Sequence, residues 1–424
     1  MGGNNWTNTT LGTICDVNPE SVEDSYPHGE IEYVDISSVG TGVLISVPSL
    51  LPFAQAPSRA KRLIRSGDTI VSTVRPNRRS FLYMKSPSPN TVASTGFAVL
   101  RPKDNVDGRF LYYLIADPSF TDYLVANTKG SAYPAVTADV FKDAKVSIPS
   151  LKEQRRIAHI LGTLDDKIEL NRRMNATLEA IAQAIFKSWF VDFDPVRAKS
   201  LSRASRSQRR RGTAGRPSGL PGELDALFPD SFENSEMGEI PKGWEVTDLG
   251  DVIDIYDSKR IPLSSRQRAK RPGPYPYYGA SSIMDYVDDY IFDGVYMLIG
   301  EDGSVINDFG FPVTQYVWGK FWVNNHAHVI QGRGSTSTET LLLWMRQTPI
   351  IAYVTGAVQP KLNQANLKSI PIIRPPDSVT GTFDKIISPL FSNIRRNTEE
   401  ITTLSAMRDL TLPNLMKGNL VSEK

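Results

Sequence analysis

The chain of 424 residues holds a single cysteine, Cys15. One thiol excludes an internal disulfide and a cysteine-rich metal site. No run of about 18 apolar residues exists, so no membrane span is expected. The opening "MGGNNWTNTTLG" lacks the charged-then-apolar layout of a signal peptide. "MGGNNW" also lacks the serine or threonine of a myristoylation signal. Together these absences point to a cytoplasmic protein. Enzyme signatures are missing as well: there is no GxxxxGK[ST] loop, no GxGxxG after a strand and no HExxH. "DFDPV", Asp192 to Val196, is not an Asn-Pro-Pro-Tyr-like methylation motif. "DDK", Asp165 to Lys167, resembles a fragment of a nuclease signature but has no upstream partner acid, so it reads as a solvated helix face. No catalytic residue and no metal ligand is assigned.

What is present is gathered charge. The net charge is only +2. Yet Arg59 to Arg109 carries eleven Lys or Arg against three acids, and Lys259 to Arg271 carries six against none. Val196 to Gly222 carries eight basic residues and no acid. Basic patches suit phosphate contact. "VRPNRRSF" offers Arg75, Arg78 and Arg79 on a turn after a strand, and arginine reads guanine as well as phosphate. "KRIPLSSRQRAKRPGPYPYYG" joins Lys259, Arg260, Arg266, Arg268, Lys270 and Arg271 to three tyrosines. In "NNHAH", His326 and His328 lie two apart and would share a strand face, too small a set for a metal. Asn324, Asn325 and the two histidines could hydrogen-bond bases, with Asn325 and His326 the chosen candidates, or the amides could cap a loop. Lys129, Ser131, Tyr133 and Lys361 complete the candidate contacts. The stretch from Asp285 to Asp308 has seven acids and no base, so it is expected to turn away from phosphates or to read base amino groups.

The chain repeats itself. "WTNTTLGTICD" starts at Trp6 and "WEVTDLGDVID" at Trp244, with Leu-Gly and Asp at matching places, 238 residues apart. "GSAYPAVTADVFKDAKVSIP" from Gly130 and "GAVQPKLNQANLKSIPIIRP" from Gly356 match at an offset of 226. The second copy is therefore twelve residues shorter between these anchors. The middles barely match, so the copies share a frame and differ in content.

A helix follows each copy. The first seam reads Ile157, Leu161, Leu164, Ile168, Asn171, Asn175, Leu178, Ala182, Ile185, Trp189, every step three or four. The same places in the second copy hold Phe383, Ile387, Leu390, Ile394, Asn397, Ile401, Leu404, Arg408, Thr411 and Leu415. Pro413 is expected to end this helix, and Pro389 to kink or restart it. Each helix spans roughly 50 Å by this reading. Antiparallel pairing would bring Asn171 and Asn397 close together, where a buried amide fixes register. A half-covered helix with both amides in water is the other reading, and Asn175 has no repeated counterpart.

The fold class is α+β. Two pseudo-repeated mixed domains are separated by two long helices pairing as an antiparallel coiled coil. The boundaries read 1–150 for the first domain, 151–195 for the first spacer helix and 196–240 for a basic flexible linker leading into the second repeat. The second domain covers 241–376, and the second helix with its tail 377–424. "FKSWFVDFDP" either docks a partner through Phe186, Trp189, Phe190 and Phe193 or packs the helix end onto a domain.

Three stretches carry a resemblance. "PSLKEQRRIAHILGTLDDKIELNRRMNATLEAIAQAIFKSWFVDFDPV" resembles the central conserved region of type I restriction–modification specificity subunits. "LFPDSFENSEMGEIPKGWEV" resembles the approach to their second target-recognition domain, and "LPNLMKGNLVSE" their C-terminal end. The resemblance covers essentially the whole chain. It implies that each domain reads one half of an asymmetric, split site in double-stranded DNA, with the helices as a ruler. It also implies no catalysis and no cofactor in this chain. Two modification subunits would bring S-adenosylmethionine and methylate adenine N6. Restriction subunits would bring ATP and magnesium. The alternative is a coiled-coil scaffold that joins protein partners and touches no DNA.

Overall fold

The computed structural model describes residues 6–23, 26–130, 134–208, 221–356 and 358–417, with backbone alone over 202–208. Ser131 and Tyr133 lie outside the described residues. The chain divides into two compact units, Met1–Leu170 with Glu400–Lys424, and Asn171–Glu399. Each unit thus takes one repeat and half of each long helix.

In unit one, Thr7–Thr10 pairs antiparallel with Lys145–Ile148 and closes the repeat on itself. A four-stranded sheet orders Cys15–Val17, Phe97–Pro102, Thr69–Ser72 and Phe81–Tyr83. A second orders Ser49–Pro52, Glu30–Val34, Thr91–Ser94 and Ala60–Leu63. Residues 108–126 form two helices, Gly108–Ala116 and Pro118–Ala126. Asp117 divides them, because its carboxylate accepts from Ser119 N (2.8 Å) and Pro118 takes the first helical place. Leu11, Phe110 and Phe141 form the centre of the core, to which Leu161, Leu412 and Leu415 of the long helices contribute.

Unit two repeats the closing pair as Glu245–Asp248 against Pro371–Arg374. Its main sheet has six strands, ordered Ile253–Ile255, Ala327–Gly332, Phe292–Gly300, Thr314–Val323, Pro272–Tyr278 and Ile283–Val287. "KFWVNNHAHVI" is divided between two of these strands by a turn at Asn325 and His326. The repeat is visible bond for bond. Leu11 N donates to Ala144 O at 2.8 Å, and Leu249 N to Ile370 O at the same 2.8 Å. Lys103 N donates to Ile14 O and Arg333 N to Val252 O. Gly12 backs onto Lys142 as Gly250 backs onto Lys368, so a Cβ on either would press within about 3.1 Å of the lysine chain. The matched glycines and lysines are one packing contact made twice.

The long helices are Leu151–Phe190 and Asp377–Met416, 40 residues each. Neither proline stops the second one. A missing N–H and a ring clash cost about 3 kcal/mol in a helix interior. Pro389 lies beside the buried Ile387 and Phe391, and Pro413 between the buried Leu412 and Leu415. Burying such side chains stabilises by about 1.5–3 kcal/mol each, which offsets the loss. None of the twenty seam positions is exposed.

In unit one the helix halves pair through Arg408 and Asp165 (2.9 Å) and Lys167 and Glu400 (3.4 Å). Arg408 is therefore a working seam residue. "DDK" is a partly solvated face that is also bonded: Asp165 accepts from Tyr113 Oη at 2.6 Å, and Asp166 takes a two-point grip from Arg109 and a bond from Lys85. Those bonds, from Arg109 first and then Lys85, hold the Asp166 carboxyl down at about 2. In unit two Phe186 and Trp189 of the first helix meet Phe383 of the second. The amides meet here too, and Asn175 joins their layer. Asn397 Nδ2 donates to Asn175 Oδ1 at 2.9 Å, and Asn175 Nδ2 donates to Thr398 Oγ1 at 3.0 Å. Asn171 and Asn397 are both buried, but the amide that the repeat left without a counterpart is the one bonded to Asn397.

Two further expectations change. The basic linker begins as a helix, Asp194–Gln208, and residues 209–220 lie outside the described residues. Phe186, Trp189, Phe190 and Phe193 are not a docking surface. All four are at most 6% exposed and pack among Trp244, Trp344, Phe228 and Phe383. The helix end is core.

Candidate nucleic-acid interface

The strand Thr69–Ser72 ends in a turn that backbone bonds stitch to the Gly130 loop. Val136 N donates to Thr73 O at 2.9 Å, Arg75 N to Pro134 O at 2.8 Å, and Lys129 and Ala135 exchange bonds of 2.9 and 3.0 Å. Arg75 sits at φ 48° and Arg79 at φ 54°, left-handed backbone that costs a side-chain-bearing residue roughly 1–2 kcal/mol. Unit two builds the same turn. Leu362 N donates to Glu301 O at 3.0 Å, Gly303 N to Pro360 O at 3.1 Å, and Thr355 and Lys361 exchange bonds of 2.8 and 2.7 Å. Gly303, at φ 81°, takes the place of Arg75. One frame thus presents an arginine in one unit and no side chain in the other.

In unit one the turn opens onto a cavity of about 530 Å³, lined in part by Arg59, Arg75, Arg78, Asp35 and Ile45. Burial pushes the Asp35 carboxyl up, but bonds from Ser37 and Tyr33 and the nearby Arg59 hold it below its ordinary value. Arg78 is exposed, and Lys129 is exposed on the stitched loop. Arg79 is different. Its guanidinium donates to Ala116 O at 2.7 Å, at the C-terminus of Gly108–Ala116, and lies over Phe81. It is a helix cap, not a free reader.

In unit two the structure divides the six cations of the basic patch. Lys259, Arg266 and Lys270 are exposed, and Lys259 lies 4.9 Å from the Tyr256 ring centroid. Arg260 donates to Glu301 (2.6 Å) and to Ala327 O (2.7 Å). Arg268 donates to Asp285 (3.1 Å) and Leu263 O (2.7 Å) and covers Tyr277. Arg271 donates to Asp288 (2.8 Å) and covers Trp322. These three are internal struts. Part of the acidic stretch is engaged within the unit: Asp285, Asp288 and Glu301 neutralise arginines of the basic run.

The stitched turn of unit two brings together Asp302, Gln359, Lys361 and His326. Gln359 Nε2 donates to Asp302 Oδ1 at 2.6 Å, and Lys361 and His326 each approach Asp302 to 3.7 Å. Asn325 is exposed beside them. His328 does not share their face. It is fully buried, 2.6 Å from Asp257 through Nδ1 and 2.7 Å from Leu362 O through Nε2. Asp257, Glu301 and His328 bring donor atoms within 4.8 Å of one another, and the Arg260 guanidinium supplies the positive charge among them. Burial pushes the Asp257 carboxyl up, while His328, Val329 N and Arg260 together hold it below its ordinary value. Arg59, Asp35, Asp302 and Gln359 were missed in sequence. Arg59 stood in the basic run and Asp302 in the acidic stretch, but no local pattern marked Asp35 or Gln359.

Comparison with known proteins fits this geometry. The sequence pattern of the family described as "Type I restriction modification DNA specificity domain" matches residues 4–180 and 241–406. The chain belongs to that family. It is 29% identical over 417 residues to the Type I restriction enzyme HindI specificity subunit of Haemophilus influenzae, covering 86% of this chain and 89% of that one. It is 27% identical over 345 residues to the MjaIX specificity subunit of Methanocaldococcus jannaschii, covering 78% and 73%. A crystal structure of the Type-I restriction-modification system S subunit from M. genitalium superposes with a TM-score of 0.52 at 16% identity, covering 100% of this chain and 98% of that one. That likeness is one of fold. The protein is a type I specificity subunit, and DNA recognition is its family's function. The family is generally non-catalytic. Among the described residues, no helix is long and apolar enough to cross a membrane.

Proposed function

We propose that each unit reads one half of an asymmetric, two-part site in double-stranded DNA, and that the paired helices set the distance between the halves. Two modification subunits carrying S-adenosylmethionine would methylate adenine at the site so chosen. Restriction subunits using ATP and magnesium would complete the complex in the cytoplasm. This chain supplies specificity and binds no cofactor itself. One observation carries the reading: a single backbone frame, stitched by the same bonds, presents unlike side chains in the two units. Arg59, Arg75, Arg78 and Lys129 in unit one suit guanine edges and phosphates. Asn325, His326, Gln359, Lys361 and Asp302 in unit two mix donors with an acceptor and suit a different base set, with Lys259, Arg266 and Lys270 on phosphates. The test is selection from a random duplex library with the modification partner present. The expected result is a bipartite motif with unlike halves, bound with an affinity that falls steeply as salt rises. Absence of any bipartite motif, with salt-independent binding, overturns the reading and favours the protein scaffold.

A further inference from the structure

From Ile36 to Gly67 the chain has no acid, while Arg59, Lys61, Arg62 and Arg65 lie within it. Four large apolar side chains of this stretch stand in solvent: Leu44 is 39% exposed, Ile45 66%, Leu50 62% and Val47 87%. The stretch is held on either side of Val47, by the turn over 38–45 and by the strand Ser49–Pro52 that pairs with Glu30–Val34. Gly40 N donates to Val43 O and Ile45 N to Ser38 O, both at 2.8 Å, and Gly42 N donates to Phe81 O at 2.9 Å. Gly42 is left-handed at φ 68°, and a Cβ there would meet the Tyr112 hydroxyl. Ile45 lies against Gly40, where a Cβ would come within 3.1 Å of its Cδ1. An exposed apolar group that its own backbone holds in place is shaped for contact and not for burial within this unit.

The neighbours say what it contacts. Ile45 lines the same cavity as Arg59, Arg75 and Arg78. A ligand that meets those guanidiniums is anionic, and the apolar tips beside them need an apolar feature of that same ligand. Duplex DNA has one in its major groove, the C5 methyl of thymine. The segment between the shared anchors, Asn18 to Thr73 here and Tyr256 to Glu301 in the other unit, is ten residues longer in unit one. The apolar tips fall within that longer segment.

We propose that the segment over residues 43–50, led by Ile45 and Val47, reads thymine methyl groups in the half-site recognised by unit one. This rests on the DNA-reading function proposed above. A protein partner is the other kind of occupant, and the acid-free stretch with its arginines favours the polyanion.

The experiment uses the full chain assembled with its modification partner and the bipartite duplex that the library yields. Each thymine of the two half-sites, on either strand, is replaced in turn by deoxyuridine, which removes the methyl and keeps the pairing edge. At one or more positions of the unit-one half-site the unaltered protein should lose about three- to four-fold in affinity per methyl. Ile45→Ser and Val47→Ser should bind the thymine duplex weaker by that factor and lose nothing more on deoxyuridine. Both should keep the melting temperature and their response to the other half-site. The proposal fails if the unaltered complex is indifferent to every substitution in that half-site, or if the variants retain the full methyl effect. It fails too if they stop assembling with the modification subunit in the absence of DNA. A library that yields no bipartite motif at all overturns the underlying function first.

Discussion

The amide layer gives the sharpest test of how the helices are registered. In Asn397→Ala, Asn175 Oδ1 loses its 2.9 Å donor in a layer where Asn397 is 3% exposed. A typical hydrogen bond contributes about 1 kcal/mol net, and an acceptor left buried adds a cost of about 1 kcal/mol more. Asn397→Ala should therefore destabilise unit two by about 1.5–2 kcal/mol. Asn175→Ala also loses the bonds to Thr398 Oγ1 and Ile394 O, at 3.0 and 3.3 Å, and should cost at least as much. The double variant leaves no orphan between the two positions. Its cost should fall short of the sum by about 1 kcal/mol, the coupling of one shared bond. Five of the six tryptophans, Trp189, Trp244, Trp318, Trp322 and Trp344, lie in unit two, so their fluorescence during urea unfolding follows that unit. Additivity within about 0.3 kcal/mol would refute the bond. So would a larger coupling of Asn397 to Asn171 than to Asn175.

Two other outcomes are expected. Arg78→Ala should weaken binding of the unit-one half-site and leave stability unchanged, because Arg78 is exposed. Arg79→Ala should lower the stability of unit one by about 1 kcal/mol even without DNA, since its bond caps Ala116 O; equal stability of both variants in chemical denaturation would contradict the division of roles. Asp166, held at about 2 against an ordinary 3.8, stabilises unit one above about pH 4, and the contribution is lost as pH falls through about 2. The carboxylate is 47% exposed, so screening keeps its worth to about 1 kcal/mol or less. Calorimetry should find Asp166→Asn less stable than the unaltered chain at pH 6 and equal to it at pH 2; a difference that persists at pH 2 would show that charge is not its cause.

The repeat, the strands around its anchors and both helix seams were legible because they depend on local period and spacing. Trp6 and Trp244, Gly12 and Gly250, and Lys142 and Lys368 mark contacts that each copy must make to close. The candidate interface was legible only in part. Arg75 and Arg78 stood out as a basic turn, and they do line one cavity. Arg260, Arg268 and Arg271 looked equivalent to Lys259, Arg266 and Lys270 because the acids that claim them come from other strands. The pairing of Pro272–Tyr278 with Ile283–Val287 decides that Arg268 meets Asp285, and no local pattern encodes that pairing. Likewise, Asn175 found its partner 222 residues away. Pro389 and Pro413 misled for the opposite reason. Local propensity argued for a break, and tertiary burial overrode it.

The stitched turns have a consequence for how such a protein changes its target. What holds them is main-chain N–H and C=O, which every amino acid except proline supplies in full. Because Arg75 and Gly303 occupy the same knot, the knot tolerates a long cation or bare backbone without slipping. The lettering on the surface is therefore decoupled from the scaffold that displays it. A lineage can rewrite one half of its address while the other half keeps its old spelling.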